Sequence, residues 1–573
     1  MAPIKTPHAA VIVWNYEDRL SSRGLNSSSK EEAINEIIIS TISLISISTN
    51  KAKSDPVGSF NLTLAPTRNW VSVLTPGSWC AILMSNDPMS EQSFNKVQPT
   101  QLKMLGRIDA VRANVSIDGS GTRSTTYSVQ GRDWGQIFEN IIYVDPIVQD
   151  PSGLGETHAN ALYVQLVHAV YDNNDSPNRI TIPDNLNLIM SVLGRPLRLP
   201  PTNRLAKATH EVTLPEEAIS FLNVGILPHI RAATRVNQDG TNSSVKFTDL
   251  LSLVWGPLNG SNEDEYDTSS PQQTGLGWLN AGSFVGQNTI WSILQDNCNY
   301  AMNELFTDLH WKGDSPDFRL YSRIKPFSYT DDPISPDLID TAMRSKFQNI
   351  PSHILNVDSI IGVNAGVNWA DKFNFIEIKP DLNELSVLGV TLKDKSQAFQ
   401  GGNSTSNVFN REGFRPIFFS IKQLPFDTTA TDKELDTSLL QKWVNLAKEW
   451  YFDCHKFLNG TVTLYGSNEY IPVGDNIMFD AKVIGVTPNY NSQSKTASSN
   501  TIYVLAHVES VQNTFSVDAD GVRTFQTTIN FVRGILVNEQ KQLIGTGTID
   551  NLASLLNKDD SKNSTTVVSS KDE

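Results

Sequence analysis

Two stretches of this chain carry the same pattern 400 residues apart: Ile108-Asp-Ala-Val-Arg-Ala-Asn-Val-Ser-Ile-Asp-Gly-Ser-Gly-Thr-Arg123 and Val508-Glu-Ser-Val-Gln-Asn-Thr-Phe-Ser-Val-Asp-Ala-Asp-Gly-Val-Arg523. They align without a gap, and apolar residues coincide with apolar residues. Alternating apolar and polar residues predict a strand, and the Asp and Gly that follow predict a turn into a second strand. The pattern therefore favours one β-hairpin present in two copies, with two unrelated hairpins as the alternative.

Glycines mark the predicted turns of each copy. Those at the hairpin turns are expected to have positive φ, which a residue without a Cβ adopts at little cost. Upstream, each copy has an alternating strand before another glycine turn, at residues 60–64 in the first and 461–464 in the second. We therefore predict four structural turn positions in two related barrels: Gly77, Gly121, Gly474 and Gly521.

The N-terminal quarter is rich in predicted strands. Residues 37–47 are dense in β-branched residues, and their alternation slips between Leu44 and Ile45, which predicts a β-bulge. Ser59–Leu64 alternates strictly, as expected of a half-buried antiparallel strand. Further strands are predicted at 79–84, 106–117 and 124–130. Together they predict a small antiparallel barrel or sandwich.

Helical spacing appears farther along the chain. Apolar residues recur at helical intervals from Trp134, and again over 289–309 and 436–453, whereas 316–324 is predicted to be a strand. The predicted fold class is mainly β with α+β insertions: two tube-like antiparallel β-barrel domains plus mixed α/β domains. The predicted divisions are 1–150 (first barrel), 151–280 (mixed or helical insertion with an acidic loop), 281–400 (central α+β domain), 401–545 (second barrel with a preceding helix) and 546–573 (disordered tail).

Composition restricts the classes of function. The 573 residues carry 46 Lys and Arg against 61 Asp and Glu, a formal charge of −15, which argues against a general binder of nucleic-acid phosphates. Hydrophobic residues make up 39%, enough for real cores. The three cysteines share no short spacing, so neither a disulfide framework nor a clustered zinc site is predicted, and a reducing compartment fits. Neither a signal peptide nor a membrane span is predicted.

Catalytic chemistry finds little support in the sequence. The nine histidines form no His-Glu-x-x-His run, and no Gly-x-Ser-x-Gly elbow, Walker loop or dinucleotide glycine motif occurs. Paired carboxylates such as Asp109 with Glu139, or Asp296 with Glu304, are more typical of a solvated surface than of glycosidase chemistry. We predict no catalytic, cofactor-binding or metal-binding residues. Four aromatic residues are instead predicted core anchors, with a contact between chains as the alternative: Trp134, Trp291, Phe306 and Phe327.

Several segments, taken together and in order, resemble a known family. These are Gly131-Arg-Asp-Trp134, Trp291-Ser-Ile-Leu294, Asn303-Glu-Leu-Phe-Thr-Asp308, Leu320-Tyr-Ser-Arg-Ile-Lys-Pro-Phe327, Asn459-Gly-Thr-Val-Thr-Leu464, Ile471-Pro-Val-Gly-Asp475 and residues 507–534. They resemble baseplate hub proteins of contractile-tailed bacteriophages, a family related to the VgrG-like spike base and to tail-tube barrels. The resemblance covers most of the chain.

The resemblance implies a structural role rather than an enzyme. It implies two barrels per chain and a homotrimer whose pseudo-hexameric ring joins the hexameric tail tube to the trimeric central spike. The implied partners are further copies of the chain, the tail tube protein and the central spike protein, with the tape measure protein and the baseplate wedge proteins as further candidates. DNA would only pass through the lumen, which the net charge predicts to be acidic. The implied location is the virion tail baseplate, assembled in the bacterial host cytoplasm.

Two other functions stay open from the sequence. The chain could be a different tail component, a tube initiator or wedge protein, which copy number would distinguish. A secreted carbohydrate-active enzyme built on β-domains is favoured only by the aromatic residues and the carboxylate pairs.

Overall fold

A computed structural model describes most of the two repeat regions of the chain. It describes residues 6–16, 34–89, 101–117, 121, 123–140, 251–255, 289–296, 303–312, 315–324, 350–368, 370, 372–380, 399–402, 413–421, 448, 451–452, 454–486 and 501–541. The 151–280 insertion, the 436–453 helix, the 546–573 tail and Phe327 lie wholly or largely outside these residues.

Strands dominate the described residues. The first group is β1 (His8–Tyr16), β2 (Ile34–Ile39), β3 (Leu44–Ala52), β4 (Ser59–Leu64), β5 (Trp79–Ser85), β6 (Leu102–Ile117) and β7 (Arg123–Asp133). The second is β8 (Leu251–Trp255), β9 (Asn303–Lys312), β10 (Ser315–Ile324), β11 (Ser352–Ile354), β12 (Ile360–Gly366), β13 (Phe375–Pro380), β14 (Phe399–Gly402), β15 (Pro416–Ile421), β16 (Leu458–Leu464), β17 (Asn476–Asp480), β18 (Tyr503–Val517) and β19 (Arg523–Val537). The α-helices described are α1 (Trp70–Val73), α2 (Gln136–Asn140) and α3 (Ile290–Asp296).

One large sheet joins the two repeat regions. Its strand order is β12-β16-β19-β18-β3-β4-β7-β6-β5-β1-β2, with β17 also paired to β18 and β11 paired to β17. The pairs are antiparallel except β11 with β17. The prediction of a mainly β fold is confirmed. Two three-stranded sheets, β8-β10-β9 and β14-β13-β15, complete the described strands.

The first half of the sheet, β1 to β7, curls round its own core. Strands β2 and β3 stand six positions apart in the order, roughly 28 Å in a flat sheet, yet only residues 40–43 connect them. Side chains from all seven strands share one buried cluster, which includes Val11, Ile39 and Ile82. The first half is therefore a curved sheet closed over its apolar face.

The second half, β11, β12 and β16 to β19, surrounds a second core. Val462, Phe479 and Phe531 are buried there together with Phe306 from β9 and Tyr321 from β10. The Phe306 and Tyr321 rings stack with centroids 4.7 Å apart. The β8-β10-β9 sheet therefore contributes side chains to the second core.

Strands β4, β6 and β7 of the first half recur in β16, β18 and β19 of the second half with the same pairing. In the first half Leu62 of β4 pairs with Val129 of β7, and in the second half Val462 of β16 pairs with Ile529 of β19. Both partners are displaced by the same 400 positions that relate the two sequence stretches. The first half's β6 and the second half's β18 each shift register one residue after the same aligned position, at Ile108 and at Val508.

The correspondence extends to strands that the sequence comparison did not align. Strand β3 pairs with β4 through Ile47 and Leu62, and β12 pairs with β16 through Val363 and Val462, so β12 is the counterpart of β3 at an offset of 316. Each of these strands follows a 3₁₀ turn, Thr41–Ser43 and Val357–Ser359, and each shifts register near its start. Bulge, turn and register all recur.

Two local predictions need correction. The predicted helix over 289–309 is confirmed at its start, where α3 covers Ile290–Asp296, and is wrong from Asn303, which begins a strand. Residues 304–309 of β9 are buried on both faces of the strand, so its apolar residues do not alternate and Phe306 and Leu309 imitate helical spacing. The run over 37–47 is likewise two strands separated by a 3₁₀ turn. The bulge predicted near Leu44 is confirmed.

Candidate functional site

The junction between the two halves combines strand pairing, buried ion pairs and side-chain hydrogen bonds, and it is the candidate site in the described residues. Residues 510–516 of β18 pair antiparallel with residues 46–52 of β3, so one continuous sheet crosses from one half to the other. At the end of this hairpin, Phe515 and Phe525 are fully buried in the first half's core. The β18–β19 hairpin thus belongs to the second half, but its end packs in the core of the first half.

Lys51, on β3, lies at the centre of a buried polar cluster at this junction. Its Nζ donates to the Asp133 carboxylate at 2.7 Å, to the Pro56 carbonyl at 2.6 Å and to the Thr307 hydroxyl at 3.0 Å. All three donors of the ammonium are therefore satisfied. Burial raises the pKa of Asp133, and the neighbouring Lys51 opposes that rise. The cluster links β3, β7 and β9.

Lys53 forms a second ionic group beside it. Its Nζ lies 2.9 Å from the Glu304 carboxylate and 2.7 Å from that of Glu509, and its backbone N–H donates to the Glu509 carbonyl. Burial alone would lower the pKa of Lys53, but the charges of Glu304 and Glu509 outweigh it and raise that pKa. The charged form is thereby favoured, and it ties β9 and β18 to the end of β3.

Buried carboxyl and phenol groups hold the 470–473 segment against β9. The Tyr470 hydroxyl and the Val473 N–H both donate to Asp308, the latter at 2.6 Å. Burial raises the pKa of Asp308 to about 7 despite these donors. Near by, His353 bridges Glu469 at 2.7 Å and Asp475 at 3.0 Å. Burial lowers the pKa of His353, but these two carboxylates prevail and raise it to about 10.

A third set of contacts joins the rims of the two halves. The Asn86 side-chain amide, after β5, donates to the carbonyls of Tyr465 and Gly466 at 2.9 Å each. In return Asn468 accepts from the Asn86 backbone N–H at 2.8 Å and donates to Asp87 at 2.6 Å. Such direct and reciprocal bonding gives a fixed relation between the halves rather than a hinge.

The predicted turn glycines occupy equivalent places. Gly77 and Gly474 have φ of +92° and +82°, and each donates its N–H to an aligned carbonyl, that of Ile108 at 2.7 Å or Val508 at 2.9 Å. Gly121 and Gly521 have φ of +81° and +78° at the hairpin turns. The Gly474 turn contacts the Phe306 ring, whereas no atom lies where a Cβ would stand on Gly121 or Gly521.

The predicted core anchors divide between two places. Trp134 and Trp291 are both buried and meet through Phe138, whose ring lies 6.0 Å from Trp134 and 6.4 Å from Trp291. Phe306 is buried in the second core. Phe327 lies outside the described residues. The site therefore joins one of these anchors, Phe306, to one predicted turn, Gly474.

Sequence reasoning missed the ionic residues of the junction. Lys51, Lys53 and Asp133 stand at strand ends among ordinary polar residues. The β9 partners of the two lysines, Thr307 and Glu304, are about 250 positions away. The one available signal was the odd placement of Lys51 on the inward side of an alternating strand. The described residues contain no group of three or more His, Cys, Asp or Glu that could hold a metal ion.

Of the comparisons with known proteins, the one with solved structures found similarity. No protein-family profile matches the chain, and no curated protein matches it by sequence. Among solved structures, a tail protein from Neisseria meningitidis MC58 is 9% identical at a TM-score of 0.38, over 92% of this chain and 96% of that one. The 43 kDa tail protein of prophage MuSo2 from Shewanella oneidensis is 10% identical at 0.38, over 93% and 99%.

A third similar structure is the lidded PdpA-VgrG complex of Francisella. It is 7% identical at a TM-score of 0.35, and the match covers 93% of this chain and 54% of that one. Because all three TM-scores lie below 0.5, they do not by themselves assign a function to this chain.

Within the described residues, no helix is long and apolar enough to cross a membrane.

Proposed function

We propose that this chain is the structural baseplate hub of a contractile phage tail. Three copies form a pseudo-hexameric ring that joins the hexameric tail tube to the trimeric central spike. The single observation that supports this most is the repeated half-sheet: β4, β6 and β7 recur in β16, β18 and β19 at an offset of 400, and β3 recurs in β12 at an offset of 316, with matching register. A ring that contacts a sixfold tube with three chains needs two similar surfaces on each chain.

The junction supports the same role through its rigidity. A ring that transmits load between the spike and the tube must keep the two halves of each chain in a fixed relation. Strand pairing between β18 and β3, the Lys53–Glu509 ion pair and the Asn86–Gly466 contacts would hold the two halves together under load. The role needs no catalysis and no cofactor.

The proposed surroundings follow from this role. The partners are the tail tube protein, the central spike protein, and the tape measure and wedge proteins that meet a baseplate centre. DNA only passes through the lumen, and the net charge of −15 favours an acidic wall that repels it. The proposed location is the virion tail baseplate.

Copy number and symmetry test the proposal. The purified chain should form a particle about three times its mass of 63.4 kDa, and class averages should show a ring of six similar lobes. Added tail tube protein should grow from one rim only. Six copies in the ring would identify a tube component instead, and a chain that stays monomeric with tube protein present would contradict the hub.

A further inference from the structure

The outer half of the β6–β7 hairpin is an apolar face without a neighbour in the described residues. Along β6, Ala113, Val115 and Ile117 alternate with Arg112, Asn114 and Ser116, on the same side of the strand as Val111, which packs against the first core. Alternation of this kind is expected where one face of a strand is buried. Yet Val115 is 50% exposed and Ile117 is 71% exposed. The strand pattern and the surroundings of the strand disagree.

The equivalent face in the second half is buried. Val115 corresponds to Phe515, which is 1% exposed because the β18–β19 hairpin pairs with β3 and enters the first core. The two hairpins share their register and their pattern of apolar positions, so the difference in burial follows from whether a strand lies beside them. One hairpin has its partner within the chain, and the other does not have it among the described residues.

A vacant partner strand also exists. Strand β12 is the counterpart of β3, and it ends the large sheet with β16 as its one neighbour in the described part of the chain. Its inward residues Val363 and Ala365 are only half-buried against the second core, and Val367 is 52% exposed. The matching residue of β3, Ile47, is fully buried by the β18 hairpin.

We propose that the β6–β7 hairpin of one copy pairs antiparallel with β12 of a second copy, repeating between chains the junction that β18 and β3 make within a chain. This inference rests on the proposed function, because a ring of alternating halves needs a second junction between chains. The partner is another copy of this chain, because β12 is the counterpart of β3 and the β6–β7 hairpin is the counterpart of the β18–β19 hairpin. The chain already pairs β3 with β18 in itself, so the same pairing can form between two copies.

The intramolecular register fixes the intermolecular one. Phe515 pairs with Ile47 and Thr514 with Ser48, so the offsets of 400 and 316 place Val115 opposite Val363 and Asn114 opposite Asn364. On the inward face Ala113 would meet Ala365, and Val111 would meet Val367. The sheet of each chain would thus continue into the next, and its exposed apolar edge residues would become buried.

Cysteine pairing between two differently tagged chains tests this register. One chain carries Asn114→Cys or Val115→Cys, and the other carries Asn364→Cys or Val363→Cys. Of two adjacent antiparallel pairs, one is the closer non-hydrogen-bonded type, so at least one combination suits a disulfide. Mild oxidation should give a mixed dimer carrying both tags. Asn114→Cys with Gly366→Cys, two residues out of register, should form several-fold less, and unmutated chains give the background from natural cysteines.

Charge substitutions test the same surface without oxidation. Val115→Asp together with Ile117→Asp should weaken self-association on the order of tenfold or more, measured by sedimentation. Ile42→Asp is the matched control, because Ile42 is 78% exposed and its counterpart in the second half is already the exposed residue Asp358. Circular dichroism of each variant should match that of the parent chain.

The outcomes separate this inference from the hub itself. A trimer that forms no mixed disulfide and tolerates both aspartates would overturn the β6–β12 pairing and leave the hub standing. Mixed disulfides in a particle of some other copy number would support the pairing and overturn the hub. A chain that stays monomeric at every concentration and forms no mixed disulfide would overturn both.

Discussion

The Phe306 ring packs directly against the backbone of Gly474, so that a Cβ on Gly474 would overlap the ring. Gly474 also has φ of +82°, a conformation that costs an L-residue about 1–2 kcal/mol. The contact connects the β8-β10-β9 sheet to a turn of the large sheet, through two residues that are about 170 positions apart.

Gly474→Ala is therefore expected to destabilise the fold by about 2–5 kcal/mol, from backbone strain and from overlap with a buried ring. Urea unfolding measures the change. Gly521→Ala is the control, because Gly521 has a similar φ of +78° but no atom near its missing Cβ. It should cost about 1 kcal/mol. Equal losses for the two variants would contradict the role given to Phe306.

Phe515→Ala tests whether the end of the β18–β19 hairpin, which belongs to the second half, packs in the core of the first half. The side chain is buried in the first half's core, so its loss should cost about 3–5 kcal/mol. Val115→Ala, at the aligned position, should change the stability of the dilute, unassociated chain by less than about 0.5 kcal/mol, because Val115 is half exposed there. A smaller loss for Phe515→Ala than for Val115→Ala would contradict the pairing of β18 with β3.

Lys51→Met tests the buried ion pair of the junction. The change leaves the Asp133 carboxylate buried without its cation, and such a loss typically costs about 3–5 kcal/mol. Replacing both residues, as Lys51→Met with Asp133→Leu, should recover part of that cost. The control is Asp109→Asn, since the Asp109–Arg132 pair is more than a third exposed and should contribute less than about 1 kcal/mol. Thermal unfolding of the three variants measures these losses of stability, and Lys51→Met should show the largest.

Much of the local structure could be predicted from the sequence, because apolar and polar residues alternate along a half-buried strand. Ser59–Leu64 is a strand with the predicted inward face, and the repeated hairpin was visible as a 400-residue offset. The counterpart relation of β3 and β12 was not visible, because Ile45 and Ile361 are the one identical pair along β12 and the offset of 316 differs from the 400 of the hairpins. It depends on register, which is a property of paired strands.

The junction could not be predicted for a different reason. Lys51 and Thr307 are brought together by the packing of two sheets. The inward position of Lys51 on β3 hints at burial, but nothing in the sequence identifies its partner on β9. Helical spacing misled at 289–309 because a strand buried on both faces loses its alternation. Long-range pairing of this kind becomes visible only when the sheets are assembled.

His353 should make the stability of the chain depend on alkaline pH. Burial opposes its charge, but Asp475 and Glu469 prevail and raise its pKa to about 10, against about 6.5 in the unfolded chain. A proton held more tightly in the folded state stabilises it fully below pH 6.5, and that contribution disappears as pH rises through about 10. Compared with His353→Gln, the parent chain should be more stable by a few kcal/mol at pH 6, and the difference should shrink steadily towards pH 10. Taking the difference removes the contributions of groups that titrate alike in both proteins. A difference that stays constant or grows over this range in urea unfolding would show that the bridge to Asp475 and Glu469 does not hold a charged imidazole.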